Sequence, residues 1–191
     1  MLVQFLRILP LAAMPFIAGC LTLPGAGGAK EAPELTRGRM AGIASNGGVA
    51  AIGIGEAWKI SSATEKARKQ ATKEAARMAR ARLDTIRRSF MVETGEGKDS
   101  GCDAIFESAA RYLEDEVLAD AAPASVEFST REGTTTAYAV MEVSPVAIVT
   151  ALEAAGQSNR SLHSRLTASK AFASLTEEAR KYAELKRQRA I

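Results

Sequence analysis

Two cysteines, Cys20 and Cys102, and a single histidine, His163, are the side chains best suited to covalent or metal chemistry in this 191-residue sequence. One histidine excludes a zinc site built from several histidines, and a Ser-His-Asp triad would have to recruit His163 from a polar helical segment. We therefore interpret His163 as a solvated surface residue. Asp115 and Glu116 are adjacent on an expected helix and point about 100° apart, which is poor geometry for paired acid and base catalysis. The sequence also has no Gly-x-Ser-x-Gly elbow, Ser-x-x-Lys motif or phosphate-binding loop, so we expect no enzyme, catalytic residue, metal or cofactor.

Cys20 follows a short apolar stretch that has the organisation of an export signal. Met1–Arg7 carries one positive charge, and Ile8–Ala18 is almost continuously apolar. About eleven apolar residues are too few to cross a bilayer, which takes roughly 20 residues in a helix. Small residues just before Cys20 then offer a cleavage point. The stretch therefore predicts a signal peptide over residues 1–19 rather than a transmembrane anchor.

The four residues Ile17, Ala18, Gly19 and Cys20 resemble the lipobox of bacterial lipoproteins, in which an aliphatic residue and two small residues precede a cysteine. The resemblance implies signal cleavage between Gly19 and Cys20, a diacylglycerol on the Cys20 sulfur and acylation of the new N-terminus. Several acyl chains anchor a protein stably, whereas a single chain binds marginally. Leu21 follows, and the absence of aspartate there resembles the signal for passage to the outer membrane. The alternative is a secretory signal that ends near a cysteine.

Export determines how the charge and the second cysteine are interpreted. The sequence has a net charge of +3 and an isoelectric point near 9.0, which in a cytosolic protein would suggest nucleic acid as a partner. In the envelope, basic patches instead meet lipid phosphates, peptidoglycan or an acidic protein face, so we expect no nucleic acid. About 170 residues follow the signal, enough for one domain with an extension. Cys102 is then either buried and inert or exposed and available to another chain.

The residues after the signal predict a tether and then a strand. Residues 20–48 are rich in Gly, Ala and Pro without sustained periodicity, so we expect a flexible tether. Val49–Ala57 is a short apolar run and predicts a strand. Its Gly53 and Gly55 do not complete a dinucleotide-binding motif, because Trp58 stands where the third glycine is required. We expect these glycines to let another backbone approach the sheet.

A long amphipathic helix is predicted from Ser62, which forms a capping box with Glu65, to about Phe90. One arc of this helix is apolar and consists mainly of alanine: Ala63, Ala67, Ala71, Ala75, Met78, Ala79, Ile86 and Phe90. The opposite arc is basic, and we select as a candidate partner-binding face Lys66, Lys69, Lys73, Arg77 and Arg80. The simpler alternatives are a packing face for the alanines and a solvated face for the basic residues.

A second helix is predicted from Asp103, as its N-cap, to Ala119. Residues 61–90 carry nine basic and three acidic side chains, whereas residues 93–120 carry two basic and nine acidic ones. The two helices could therefore lie antiparallel with opposite charges close together, which would bias their register more than stabilise them.

The remaining sequence predicts a β-hairpin and further helices. Residues 124–144 have the alternation of a hairpin that turns at Gly133. Ser144 and the proline after it predict the start of a third helix, which ends at Gly156. Residues 156–191 predict a basic helical extension that packs on a neighbour rather than on the core.

The order of these elements over about residues 48–155 resembles the LPP-twenty lipoprotein family, which includes outer-membrane and flagellum-associated lipoproteins. The features that carry the resemblance are the Gly-x-Gly strand, the helix with alanine at every fourth position, and a Tyr-x-x-x-x-Val strand that runs into a Ser-Pro helix start. It implies a compact domain over residues 49–155, no catalytic residues, and a role in envelope or appendage assembly, often by self-association. The basic extension departs from the pattern.

We therefore expect an α+β fold, in which a small antiparallel sheet of about three strands is packed by two to three helices and followed by a helical C-terminal extension. The expected function is that of a lipid-anchored protein on the periplasmic side of the outer membrane, a structural or adaptor component of an envelope or flagellar-type assembly. Its expected partners are the membrane, a second copy of itself or other envelope proteins. The alternative is a periplasmic binding module for peptidoglycan or an anionic glycolipid.

Overall fold

The computed structural model describes residues 32–95 and 101–189, which form six α-helices and one three-stranded antiparallel sheet. The elements follow the order α1 (Glu34–Ser45), β1 (Val49–Ala57), α2 (Ile60–Thr94), α3 (Cys102–Tyr112), β2 (Ser125–Arg131), β3 (Thr134–Val143), α4 (Pro145–Gly156), α5 (Arg160–Thr167) and α6 (Lys170–Arg189). A π-helical turn, Leu113–Leu118, continues α3. The expected α+β class is confirmed, while Cys20 and the expected signal peptide lie outside the described residues.

The sheet has the strand order β1-β3-β2, so the β2–β3 hairpin contributes its second strand to the centre. The predicted hairpin is confirmed, with its turn at Glu132 and Gly133, whose φ angles are 51° and 79°. Glycine reaches this left-handed region without steric cost, which explains why the chain reverses there. Both β1 and β2 are edge strands.

Helix α2 covers one face of the sheet at very short range. The alanine arc is buried as predicted, with Ala63, Ala67, Ala71, Ala75 and Ala79 at most 1% exposed, and only Met78 of the arc is half-buried. The predicted capping box is wrong. The helix begins at Ile60 with Lys59 at its N-cap, only two residues after β1 ends. Ser62 therefore already lies inside the first turn and cannot precede the helix as its cap.

Helix α1 covers part of the opposite face, and it corrects the expectation of an irregular tether up to residue 48. Ile43 of α1 packs with Ala50 of β1 and Val140 of β3 in a second, smaller core cluster. The sequence of α1 contains glycine and shows no clear helical periodicity of apolar residues. The helix is therefore stabilised mainly by its packing against the sheet. The folded domain therefore starts by Glu34.

Helix α3 runs back along α2, and the predicted pairing of opposite charges is confirmed. Arg80 of α2 binds Glu107 at 2.8 Å, and Arg87 pairs with Asp103. Asp103 is not the N-cap, because α3 begins one residue earlier, after Gly101 with φ at 77°. Cys102 is buried at 1% exposure, which agrees with the first of its two interpretations.

The C-terminal helices belong to the core. Helix α4 starts as predicted, since the Ser144 hydroxyl accepts a hydrogen bond from the Ala147 N–H at 3.1 Å, and it ends at Gly156. The expectation of an extension outside the core is wrong. Helices α5 and α6 bury large apolar side chains in the main hydrophobic core, which also contains the alanine arc of α2: Leu162, Leu166, Phe172 and Leu175. Within the described residues, no helix has the length and hydropathy needed to cross a membrane.

Candidate binding face on helix α2

The five basic residues predicted as a partner-binding face lie along one side of α2, at spacings of three or four residues. We call them the basic face: Lys66, Lys69, Lys73, Arg77 and Arg80. Four of them are exposed and Arg80 is half-buried. Four of the five bind a carbonyl or a carboxylate of the same chain, so they do not form a free cationic surface.

The basic face adjoins the free edge of β1. The Lys66 ammonium donates a hydrogen bond to the Glu56 carbonyl at 2.9 Å, and the Gln70 carbonyl accepts one from the Ile54 N–H at 3.0 Å. Both backbone groups point away from β3, where an edge strand has no partner strand. Side chains of α2 therefore occupy this edge.

Carboxylates of α2 itself engage two further members of the basic face. Lys69 lies 3.4 Å from Glu65, and Arg77 donates to Glu74 at 2.9 Å. The hydrogen bond from Arg77 lowers the pKa of Glu74.

Arg80 bridges two acidic residues of the neighbouring helical segment, Glu107 at 2.8 Å and Glu114 at 3.2 Å. The hydrogen bond to Glu114 is the main cause that raises the pKa of Arg80. Among the described residues, only Lys73 of the basic face has neither a carboxylate nor a carbonyl partner within reach. The face is therefore largely neutralised within the chain.

A groove of about 760 Å³ runs beside the basic face. Its lining combines basic, acidic and apolar side chains and includes Ile52, Gln70, Lys73, Arg77, Glu114 and Leu118. Lys73 is the group in it best placed to receive an additional anionic or hydrogen-bonding partner. The described residues contain no group of three or more His, Cys, Asp or Glu side chains placed to hold a metal ion.

A second polar cluster, which the sequence did not indicate, joins α6 to β3. The Tyr182 hydroxyl donates a hydrogen bond to Glu142, and Lys186 lies 3.4 Å from the same carboxylate and 5.4 Å from the centre of the Tyr182 ring. Burial, together with the bond to Glu142, raises the pKa of Tyr182. The partners lie 40 and 44 positions apart and form no motif, so no local signal could have revealed them.

The cluster borders a pocket of about 190 Å³ beside Gly38 and Gly42 of α1. The Glu142 side chain is only 13% exposed, and its two partners both come from α6. The arrangement holds the C-terminal helix against the sheet.

His163 is not the solvated residue that the sequence suggested. Its ring is half-buried against α4, where a Cβ atom on Gly156 would lie 2.1 Å from its Cδ2. Its Nε2 atom is buried without a hydrogen-bond partner among the described residues. The glycine that ends α4 thus also makes room for the imidazole, which sequence spacing alone could not show.

Comparisons of the chain with protein-family models, curated proteins and solved structures find no match. The likeness to the LPP-twenty lipoproteins therefore stays a prediction from the sequence.

Proposed function

We propose that this protein is a lipoprotein, anchored through Cys20 in the outer membrane and facing the periplasm, which acts as a structural or adaptor component of an envelope assembly. The observation that carries the proposal is the order Ile17, Ala18, Gly19, Cys20 directly after a short apolar stretch. A thiol in this position is the acceptor for the diacylglycerol that the lipobox resemblance implies.

The position of α1 bears on how the proposed anchor would hold the domain. Helix α1 begins at Glu34, about 14 residues after Cys20, and an extended chain spans at most about 3.3–3.6 Å per residue. The folded domain would therefore stand no more than about 50 Å from the acylated cysteine. A domain anchored in this way would keep its surfaces close to the membrane that the lipid enters.

The contacts of the basic face support a structural role over the alternative of an anion-binding module. Arg77 and Arg80 already bind Glu74, Glu107 and Glu114, so a glycolipid phosphate or a peptidoglycan carboxylate would have to compete with carboxylates held nearby. Among the described residues, two members of the basic face have no carboxylate partner: Lys73, and Lys66, which binds only the Glu56 backbone carbonyl. Exposed ion pairs of this kind are weak individually. Those of Arg80 join α2 to the neighbouring helical segment and so favour one register between the two.

The proposed anchor is tested by comparing the Cys20→Ser variant with the wild-type chain in a diderm bacterium. The wild-type protein should sediment with the membranes and enter the detergent phase on phase separation. Cys20→Ser removes the thiol that must carry the lipid, so cleavage and membrane attachment should fail. Cys102→Ala serves as the matched control, because Cys102 is buried in the domain and its loss should leave localisation unchanged. A Cys20→Ser protein that fractionates like the wild type would remove the basis of the proposal.

A further inference from the structure

The two edge strands of the sheet differ in whether side chains bind their outward-facing backbone groups. On β1, Gln70 and Lys66 of α2 bind the outward-facing Ile54 N–H and Glu56 carbonyl. Natural proteins protect edge strands in such ways, because an open edge pairs readily with another strand. Within the described part of the chain, no side chain binds the outer backbone groups of β2.

The register of the sheet identifies those outer groups. Ile54 points its N–H away from β3, so its partner Tyr138 must point its own backbone groups towards β2. Tyr138 pairs with Glu127, and backbone directions alternate along a strand. The N–H and C=O groups of Val126, Phe128 and Thr130 therefore face outward from the sheet.

The side chains of these outward-facing residues leave the edge accessible. Phe128 is 49% exposed, although it lies on the same sheet face as α2, opposite Ala137 of β3. Val126 is half-buried and Thr130 is exposed. An accessible aromatic side chain in the middle of an open edge is the arrangement that strand pairing uses.

We propose that β2 is a self-pairing edge, at which a second copy of this chain adds its own β2 antiparallel about a twofold axis at Phe128. This inference rests on the proposed structural role and deepens it by naming the partner and the contact. Phe128 is the central residue of Ser125–Arg131, so this register pairs the whole strand. The two strands would exchange about six backbone hydrogen bonds through Val126, Phe128 and Thr130.

The side chains that this register brings opposite one another are compatible. Phe128 faces Phe128 of the second copy, and aromatic pairs across antiparallel strands are favourable. Glu127 faces Ser129, and Arg131 faces Ser125, so no like charges lie directly opposite each other.

The protection of β1 explains why pairing would stop at two copies. In the joined sheet the strand order is β1-β3-β2-β2-β3-β1, and both outer edges are then the β1 strands that Lys66 and Gln70 occupy. An isologous contact of this kind closes on itself, whereas pairing of β1 with β2 would continue without limit. One protected and one open edge is the arrangement that a closed dimer requires.

The test measures the mass of the full chain by sedimentation in a density-matched detergent, over a range of protein concentrations. The wild type should be a dimer. Phe128→Lys places two ammonium groups on the axis and should raise the dimer dissociation constant at least tenfold. Val92→Lys is the matched control, because Val92 is an exposed apolar residue on α2, 86% accessible and outside the sheet; it should dimerise like the wild type.

A cysteine pair tests the register and covers the case in which Phe128→Lys fails to fold. Opposed Cα atoms in this pairing lie about 5.5 Å apart, within the range that a disulfide spans. Phe128→Cys should therefore form a disulfide with its own copy on mild oxidation, identified by peptide mass. Val126→Cys should not, because it would face Thr130 of the second copy and lie about 14 Å from its own counterpart.

The measurements of dimerisation test the pairing of β2, and the state of Cys20 tests the lipid anchor, so the two proposals can fail independently. A wild-type monomer, a folded Phe128→Lys protein that still dimerises, or a Phe128→Cys protein that forms no such disulfide would overturn self-pairing at β2. A monomer that carries lipid at Cys20 would leave the lipoprotein proposal standing. A β2 dimer with an unmodified Cys20 would support the pairing and contradict the anchor.

Discussion

Gly53 of β1 lies directly against Ala71 of α2: a Cβ atom at Gly53 would lie 2.3 Å from the Ala71 backbone nitrogen and 2.0 Å from the carbonyl oxygen of Ala67. Gly55 has the same relation to the carbonyl oxygen of Ala63, at 2.1 Å. The strand and helix backbones are therefore in contact, with no side chain larger than a methyl group between them. This contact fixes where α2 lies and, through Gln70 and Lys66, how the β1 edge is protected.

Gly53→Ala should destabilise the protein strongly. Its methyl group would meet backbone atoms of α2, which cannot move aside as a flexible side chain can, and overpacking of this kind costs about 1–3 kcal/mol or more. Urea denaturation measures the loss in the free energy of unfolding. Gly38→Ala in α1 is the control, since nothing lies within 4 Å of its added Cβ; there the helix propensity of alanine should stabilise by up to about 1 kcal/mol. Equal effects of the two changes would contradict the close contact.

Ala71→Leu tests the same packing from the side of the helix. Ala71 is fully buried, so the larger side chain should push α2 away from the sheet and cost about 1–3 kcal/mol. Ala173→Leu in α6 adds the same atoms at an exposed helical position and should change stability by less than about 0.5 kcal/mol. The melting temperatures of both variants report the difference. An Ala71→Leu protein as stable as the wild type would place that face at the surface.

The periodicity of the long helix and the alternation of the hairpin were sufficient to predict the α+β fold, because both patterns are local. The glycines of β1 were correctly interpreted as a close approach of backbones, because glycine inside a strand often marks such an approach. Helix α1 was missed because its stability comes from Ile43 packing on Ala50 and Val140 rather than from its own sequence. The Glu142–Tyr182 contact joins residues 40 positions apart and could not be predicted from spacing.

Deleting residues 157–191 should unfold the domain, contrary to what the sequence suggested. Leu162, Leu166, Phe172 and Leu175 are buried in the main core, and burial of each such side chain contributes about 1.5–3 kcal/mol. Their joint loss approaches the total stability of a typical domain, about 5–15 kcal/mol. Near-UV circular dichroism should show lost tertiary packing. Removal of residues 187–191 alone is the control and should preserve the tertiary packing. If the protein stays well packed after the long deletion, residues 157–191 are a separate extension and not part of the core.

The pKa of Glu177 in α6 should respond to its arginine partner. The hydrogen bond from Arg180, together with the charges of Arg180 and Lys181, lowers this pKa from 4.5 to about 2. Because the folded-state value is depressed, the pair's contribution to stability is present above pH 4.5 and is lost as the pH falls towards 2. Carbon-detected NMR titration should find the Glu177 pKa near 2 in the wild type and closer to 4.5 in Arg180→Ala.

Lys181→Ala provides the comparison for this titration. Lys181 lies 3.6 Å from the same carboxylate, farther than Arg180 at 2.7 Å, so its removal should raise the Glu177 pKa less. A Glu177 pKa that is the same in the wild type and in Arg180→Ala would show that the exposed pair does not persist in solution.

The intact mass of the wild-type protein, isolated from the membranes of a diderm bacterium, tests the proposed lipid anchor most directly. The proposed anchor predicts a chain that begins at Cys20, carries a mass excess equal to a diacylglycerol and a further acyl chain, and has no alkylatable thiol at that residue. Proteolysis should place the whole excess on the N-terminal peptide. A protein isolated with a free, alkylatable Cys20 and no attached lipid would contradict the lipoprotein proposal and the periplasmic placement that depends on it.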